Sequence, residues 1–336
     1  MKVLLQNRAS YQRSIAGDSI QLLRTQEYLA KLGVTAEISH DPDAALSGID
    51  LVHLFNIMPV EETYRFYQNA RRHRKKMVLS TIFWDPTEFL RVSGGEARFG
   101  EWWQKTMPQR QEIIGNIQLM LPNSRREEKL LGQFFPELPP SLIVPNAADS
   151  SFAHASSERF RRHFHPPAEF VLSVGRICPR KNQLGLIQAM QRLGWPLIFI
   201  GPLNDTHYYQ DCRRAAAGLK VSFIDTLSQT DLASAYAAAK VHALVSWYDT
   251  PGLVSLEAGL AGCRIVSTNR GCAEEYLADL AFYCAPDDRD SIGRALRNAW
   301  QTAADRRLPE RILRNYTWQQ TALATLKGYQ MVLDEK

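Results

Sequence analysis

Apolar positions along this chain recur with two periods. Short runs of Val, Ile, Leu and Phe alternate with longer stretches in which apolar residues return at helical spacing, the pattern of βαβ units and a parallel sheet. In the first half the short runs predict strands at Val3–Gln6, Leu51–Phe55, Met77–Phe83, Ile117–Leu121 and Leu142–Val144. Between the first two, Ser19–Leu32 keeps Ile20, Leu22, Leu23, Tyr28, Leu29 and Leu32 for a core and leaves Arg24, Gln26 and Lys31 for water, which predicts a helix. The second half predicts strands at Phe170–Val174, Leu197–Ile200, Val221–Ile224, His242–Val245, Arg264–Ser267 and Phe282–Cys284. Helices are expected near 182–193, 228–239, 251–261 and 288–302.

A change of composition marks a boundary. Residues 147–168 are rich in Ala, Ser and Pro with dense Arg and His, and they separate two α/β halves. The expected division is 1–150, 151–315 and a final helical segment, 316–336, capped by Thr317 with Trp318, Ala322, Leu326 and Tyr329 on one face. The economical architecture is two Rossmann-like, doubly wound domains facing across a cleft. In such sheets ligands bind outside the carboxyl ends of the strands, so the strand-to-helix turns carry the chemistry.

Composition narrows the class. The 336 residues are 45% hydrophobic and 22% charged, which suits two globular domains at ~150 residues each and excludes a disordered or fibrous chain. The net charge of +5 divides into about +1 before residue 150 and about +4 after it. That is far below a dedicated nucleic-acid binder, so no nucleic-acid partner is expected. The cysteines, Cys178, Cys212, Cys263, Cys272 and Cys284, form no C-x-x-C pair; no zinc site or disulfide framework is indicated, and buried reduced thiols are expected. No run approaches the ~18 apolar residues of a membrane span, which points to a cytoplasmic protein.

Two turns stand out. After Phe170–Val174 the chain reads SVGRICPRKN, placing Arg176, Arg180 and Lys181 at or just before a helix N-terminus. Cations beside the positive end of a helix dipole cost a few tenths of a kcal/mol each unless an anion binds between them. A phosphate is such an anion, accepting from the helix amides and from Arg176 and Lys181; a solvated basic loop is the alternative. After His242–Val245 comes SWYDTPGLVSLEAGLAG, with Thr250 as N-cap, Pro251 at the first helical position and Gly252 allowing close approach. The amides of Gly252, Leu253 and Val254 are placed for a second phosphate. Glu257, two helical turns after Thr250, suits hydroxyl groups beside that diphosphate, as acidic residues do for ribose in dinucleotide sites.

The order SVGR-x4-KN, then VSFIDTL with D-L-x3-Y-x3-K, then D-x7-E within DTPGLVSLEAGLAG, then NRGCAEE, resembles the C-terminal half of the family-4 retaining glycosyltransferases of GT-B fold. LPNS at 121–124 and VPNAAD at 144–149 are similar to further landmarks, so the resemblance runs from about 117 to 331. It implies transfer of a sugar from a UDP- or GDP-sugar to a hydroxyl of a glycan or glycolipid, in cell-surface polysaccharide or glycoconjugate synthesis. Arg176 and Lys181 would neutralise the diphosphate in place of a metal; neither metal nor cofactor is expected. Glu257 would hold the ribose, Asp249 would contact the donor sugar one methylene short of the family's usual Glu, and Gly252, Leu253 and Val254 would bind the donor through their amides. Thr226 and Leu227 would contact the base. The final helix would cross back to the first domain and hinge the cleft.

The first half resembles the family's acceptor domain and departs from it. Ala16-Gly17-Asp18-Ser19 stands where the family has a glycine-rich loop facing the donor phosphates; Gly17 serves that approach or is a plain helix-entry residue. The family usually ends the strand at Met77–Phe83 with a histidine near the donor sugar, but here the chain reads STIFWDP. Three readings stand: an inactive relative, a donor sugar that lacks or presents differently its primary hydroxyl, or a subgroup using Trp84 and Asp85. His53 ends a buried-looking strand, either as a pocket residue or as a hydrogen-bonded core residue. The basic run 71–76 is a solvated helix end or a weak contact with anionic lipid, which would place the protein peripherally on the inner face of a membrane beside a lipid-linked acceptor. The aromatic stretch Trp84–Met107 suits a sugar acceptor or core packing. A nucleotide-sugar epimerase and a catalytically silent glycan-binding partner are the alternative functions.

Overall fold

Two parallel sheets organise the chain in this computed structural model, which describes residues 1–9 and 17–334, with the side chains of 96–98 excepted. The first sheet contains β1 (Lys2–Gln6), β2 (Thr35–Ser39), β3 (Leu51–Phe55), β4 (Lys76–Ser80) and β5 (Leu119–Met120) in the order β2-β1-β3-β4-β5. The second contains β6 (Val171–Val174), β7 (Leu197–Ile200), β8 (Val221–Ile224), β9 (Val241–Leu244), β10 (Arg264–Thr268) and β11 (Phe282–Cys284) in the order β11-β10-β9-β6-β7-β8. Helices connect the parallel strands, so each sheet is of the α/β, doubly wound kind that the sequence predicts. Central strands such as β3, β6, β7 and β9 are buried at every position, which is why they read as unbroken apolar runs.

The chain divides into two units. One comprises Met1–Asn146 with the C-terminal helix Trp318–Asp334; the other is Ala147–Thr317. In the second unit Ala148 N donates to Tyr316 O at 3.1 Å, pairing the segments by which the chain enters and leaves it. The helix Trp318–Asp334 is built into the first core. A Cβ at Gly328 would lie 3.1 Å from Leu119 and from Leu121, and Tyr329 is fully buried. Tyr329 Oη lies 2.6 Å from His53 Nδ1, and His53 Nε2 lies 2.9 Å from Ser80 Oγ. Lys76 Nζ donates to Val332 O at 2.6 Å.

These bonds correct the pocket reading of His53. Both ring nitrogens are occupied and the residue is 1% exposed, so it joins β3, β4 and the last helix instead of facing a sugar. The aromatic stretch also turns inward: Phe83 packs against Trp103, Phe134 and Phe135, and the buried Arg110 guanidinium lies 4.7 and 4.1 Å from the rings of Trp102 and Trp103 while donating to Ile57 O and Met58 O. In the basic run Arg71 pairs with Glu112, Arg72 with Asp43 at 3.3 Å, and Lys75 donates to Ile49 O at 2.7 Å. Most of that charge thus finishes the helix Val60–Arg72 and ties it down.

Three boundaries differ from those the sequence predicts. Strand β2 does not stand out in the periodicity because it is an edge strand, with no fully buried position. Leu142–Val144 is not a strand; Pro139, Pro140 and Pro145 bracket it, and it runs beside the sheet with Leu142 N donating to Met120 O and Val144 N to Pro122 O. Strand β4 stops at Ser80, because Thr81 Oγ1 and Phe83 N turn to Glu127 Oε1. Among the described residues no helix is long and apolar enough to cross a membrane.

Burial pushes the pKa of His53 down to about 3; burial, with the Lys181 charge added, does the same to His242 on β9, whose ring nitrogens make no hydrogen bond among the described residues. A histidine depressed from 6.5 on folding contributes stability that is complete above about pH 6.5 and is lost as pH falls toward 3. Urea unfolding should therefore show constant stability above about pH 7 and a decline below it, with a shallower slope in His242→Phe. An unchanged slope in that variant would remove His242 from the account.

Candidate active site

The order of the second sheet creates a switch point. Strands β6 and β9 are neighbours, yet the chain runs from β6 outward through β7 and β8 before returning to β9. The turns leaving the carboxyl ends of β6 and β9 diverge there, which opens a ligand crevice in doubly wound sheets. They are the turns that carry Arg176 to Lys181 and Asp249 to Glu257.

The first turn is fixed by close backbone approach and by one amide. A Cβ at Gly201 would stand 2.2 Å from Gly175 O, so the ends of β6 and β7 can meet only with glycine there. Arg176 follows, half-buried, and Pro179–Lys181 forms one 3-10 turn. Asn182 adopts the left-handed region, with φ 56°, and its amide donates to Val245 O at 3.1 Å and Pro286 O at 2.8 Å. Trp247 N donates to Arg180 O at 2.9 Å, and Arg180 Nη1 donates to Tyr248 O at 2.8 Å. Asn182 and Arg180 therefore lock the two turns together.

Between them lies a buried ion pair. Lys181 Nζ donates to both carboxylate oxygens of Asp249, at 2.7 and 3.0 Å, and Arg180 Nη1 is 3.9 Å from the same group. Burial alone would raise the Asp249 pKa, but the charges of Lys181 and Arg180 outweigh it and hold the carboxyl below its ordinary range. Burial also draws the Lys181 pKa below the ordinary lysine value, with Asp249 offsetting part of the effect. The Asp249 backbone is bridged to Gly271, where φ is 89° and a Cβ would lie 2.1 Å from Asp249 O.

The helix after β9 spans Leu253–Leu260 with Gly252 as its cap. This corrects the expectation of Thr250 as cap and Pro251 as first helical residue: Asp249 is pinned to Gly271, and the chain turns only at Gly252, φ 83°, where a Cβ would meet Leu244 Cδ2 at 2.6 Å. Gly252, Leu253 and Val254 do form the helix opening, whose first amides have no intrahelical acceptor. Glu257 then stands one turn from the helix start instead of two. It is half-buried, and its Oε2 accepts from Tyr236 Oη at 3.0 Å. Thr226 and Leu227 follow the edge strand β8, two strands from the switch point; Thr226 N is turned to Asp225 Oδ1 at 2.6 Å and Leu227 packs on the core. The structure thus joins Lys181, Asp249 and Gly252 and places Glu257 on the same short helix.

The first unit has its own switch point, between β1 and β3. Gly17 opens the helix Gly17–Lys31 with nothing within 4 Å of a Cβ, while Ala16 lies outside the described residues. Here the sequence reading missed a polar cluster. Arg8 donates to both oxygens of Asp18, at 2.7 and 3.0 Å, and Asn56 Nδ2 lies 3.3 Å from Asp18 Oδ2. Burial alone would raise the Asp18 pKa; Arg8 and Asn56 outweigh it and lower it. The signal was the QNR that ends the first strand, polar where a turn should be neutral. Of the two residues proposed at the end of β4, Asp85 accepts from Thr87 N at 2.9 Å and opens the next helix, and Trp84 is half-buried. Asn182, Gly271 and Tyr236 were likewise missed as site residues, although each falls within a motif that carries the resemblance.

Residues 156–314 match the family of glycosyl transferases group 1. The chain is 27% identical over 176 residues to the O-antigen chain mannosyltransferase B of Escherichia coli, covering 48% of this chain and 46% of that protein. It spans about half the length of the curated relatives it matches. Among solved structures, sucrose-phosphate synthase of Thermosynechococcus elongatus superimposes with a TM-score of 0.85 at 15% identity over 100% of both chains. Anabaena HepE in complex with UDP and glucose gives 0.77 at 14% identity, over 98% of this chain and 99% of that one.

Gly271→Ala should destabilise the protein by at least about 2 kcal/mol in urea unfolding, because it combines a left-handed backbone with a clash against a carbonyl. Gly262→Ala is the control: φ is 94° but its Cβ meets nothing within 4 Å, so only the conformational cost of about 1 kcal/mol is expected. Equal losses would show that the approach to Asp249 is not tight.

Proposed function

With residues 156–314 a member of the glycosyl transferases group 1 family, we propose that the protein is a retaining, metal-independent glycosyltransferase that moves a sugar from a nucleoside diphosphate to a glycan or lipid-linked glycan hydroxyl. The observation that carries this reading is the Lys181–Asp249 pair at a helix opening on a sheet switch point. A lysine and an arginine at such a place form an anion site, and the resident carboxylate offsets one of the two positive charges until a diphosphate arrives. In the reaction the bond from the sugar anomeric carbon to the diphosphate breaks, the acceptor oxygen bonds to that carbon on the same face, and the acceptor proton passes to the departing phosphate oxygen. Arg176 and Lys181 stabilise the leaving diphosphate, the amides of Gly252, Leu253 and Val254 hold it, and Glu257 accepts from the ribose. Asp249, with both oxygens on Lys181, sets the position of that lysine as well as facing the sugar.

UDP is the first donor base to test, since the HepE complex holds UDP. In the first unit Arg8, Asp18 and Asn56 offer a near-neutral polar cluster of the kind that binds sugar hydroxyls, and they replace His53 in the acceptor-side assignment. Work on a lipid-linked acceptor at the inner face of a membrane fits the exposed Arg72 and Arg74.

In a thermal-shift panel, UDP or GDP at about a hundred times its dissociation constant should add ~2.7 kcal/mol of stability. Lys181→Ala and Glu257→Ala should each lower transfer at least about a hundredfold while remaining folded; full activity in both would sink the assignment. A donor panel tests the missing histidine: sugars without the usual primary hydroxyl should be preferred, and activity with ordinary hexose donors alone would contradict that.

A further inference from the structure

Tyr236 lies on the helix Gln229–Ala238, which Ser228 caps by accepting from Asp231 N at 3.1 Å. Its ring is fully buried and is held edge-on by Phe152, at 5.8 Å between centroids, and by His242, at 5.7 Å. Its carbonyl accepts from Ala239 N at 3.1 Å and from Cys263 Sγ at 3.0 Å. Backbone and ring are thus fixed from several sides, and one polar atom remains to be used. That atom, the hydroxyl, donates to Glu257 Oε2 at 3.0 Å.

A glutamate has three rotatable bonds, and ordering them at the moment of binding would reduce affinity. A donor on an immobile ring removes that cost in advance. Burial, reinforced by the Glu257 charge, pushes the tyrosine pKa well above 10, so the hydroxyl keeps its proton and remains a donor. His242, kept neutral by burial, packs edge-on against the tyrosine ring.

We propose that Tyr236 is a positioning residue for the nucleotide ribose: by holding Glu257 Oε2 it fixes the carboxylate in the orientation that accepts ribose hydroxyls, and so makes the site select ribonucleotides over 2′-deoxyribonucleotides. This rests on the assignment of Glu257 to the ribose made above.

Calorimetric titration of wild type and Tyr236→Phe with UDP and 2′-deoxy-UDP, and with GDP and 2′-deoxy-GDP, tests it. Wild type should bind the ribonucleotide about tenfold more tightly, the worth of one hydrogen bond to a charged group. Tyr236→Phe should reduce that ratio to about twofold, with weaker binding of the ribonucleotide and little change for the deoxy form. In the Glu257→Gln background the same change should have no further effect on the ratio, since the two residues act through one contact. A Tyr236→Phe protein that keeps the wild-type ratio, or that has lost its thermal transition, assigns the hydroxyl to stability alone and overturns the proposal. A wild type that binds UDP or GDP without preferring ribose overturns it together with the role of Glu257. A wild type that binds neither overturns the functional reading itself.

Discussion

The second unit is arranged around one electrostatic constraint. An ammonium group stands beside a second cation and a helix opening, and each of the three is positive. Such a cluster is stable in a partly dry place only if a carboxylate is delivered to it with good geometry, because an unpaired buried charge costs several kcal/mol. Asp249 meets that need, and the nearby chain is shaped to deliver it: Gly271 lets its backbone approach, Gly252 lets the chain turn after it, and Asn182 holds the lysine's turn against the end of β9. The sheet order places the two turns side by side. Remove any of these and the positive groups lose their partner before any ligand is considered.

That constraint also explains how the site can be both stable and receptive. An anion site kept unfilled in a protein either disperses its cations into water or holds them against a counter-charge. Here the counter-charge is internal and its pKa is held low by the cations themselves. A diphosphate brings more negative charge than Asp249 provides, so binding adds to the neutralisation already present.

Much of this was legible in the residues and some was not. The central strands of the second sheet could be read from their apolar runs, since each is covered on both faces and the pattern does not depend on register. The edge strand Thr35–Ser39 was hidden for the opposite reason: half its surface meets water, so its composition is mixed. The chemistry of Arg176, Lys181, Asp249 and Glu257 was visible as types at turns. Their partners were not, because the link from Tyr236 to Glu257 or from Gly271 to Asp249 spans about two dozen residues and is made only by packing. His53 misled for a related reason. A histidine within a buried strand reads the same whether its neighbour is a ligand or a tyrosine from the far end of the chain.

That distant tyrosine has a consequence for synthesis. The second unit is a continuous stretch whose own two ends are hydrogen-bonded to each other at Ala148 and Tyr316, so all its contacts exist once residue 317 has been made. The first unit, begun earlier, is still missing Ala322, Tyr329 and Val332 from its core at that moment. Its sheet must wait with His53 and Lys76 short of their partners while the later-made unit closes. The order of completion therefore runs against the order of translation: the unit that begins second has all of its residues before the unit that begins first.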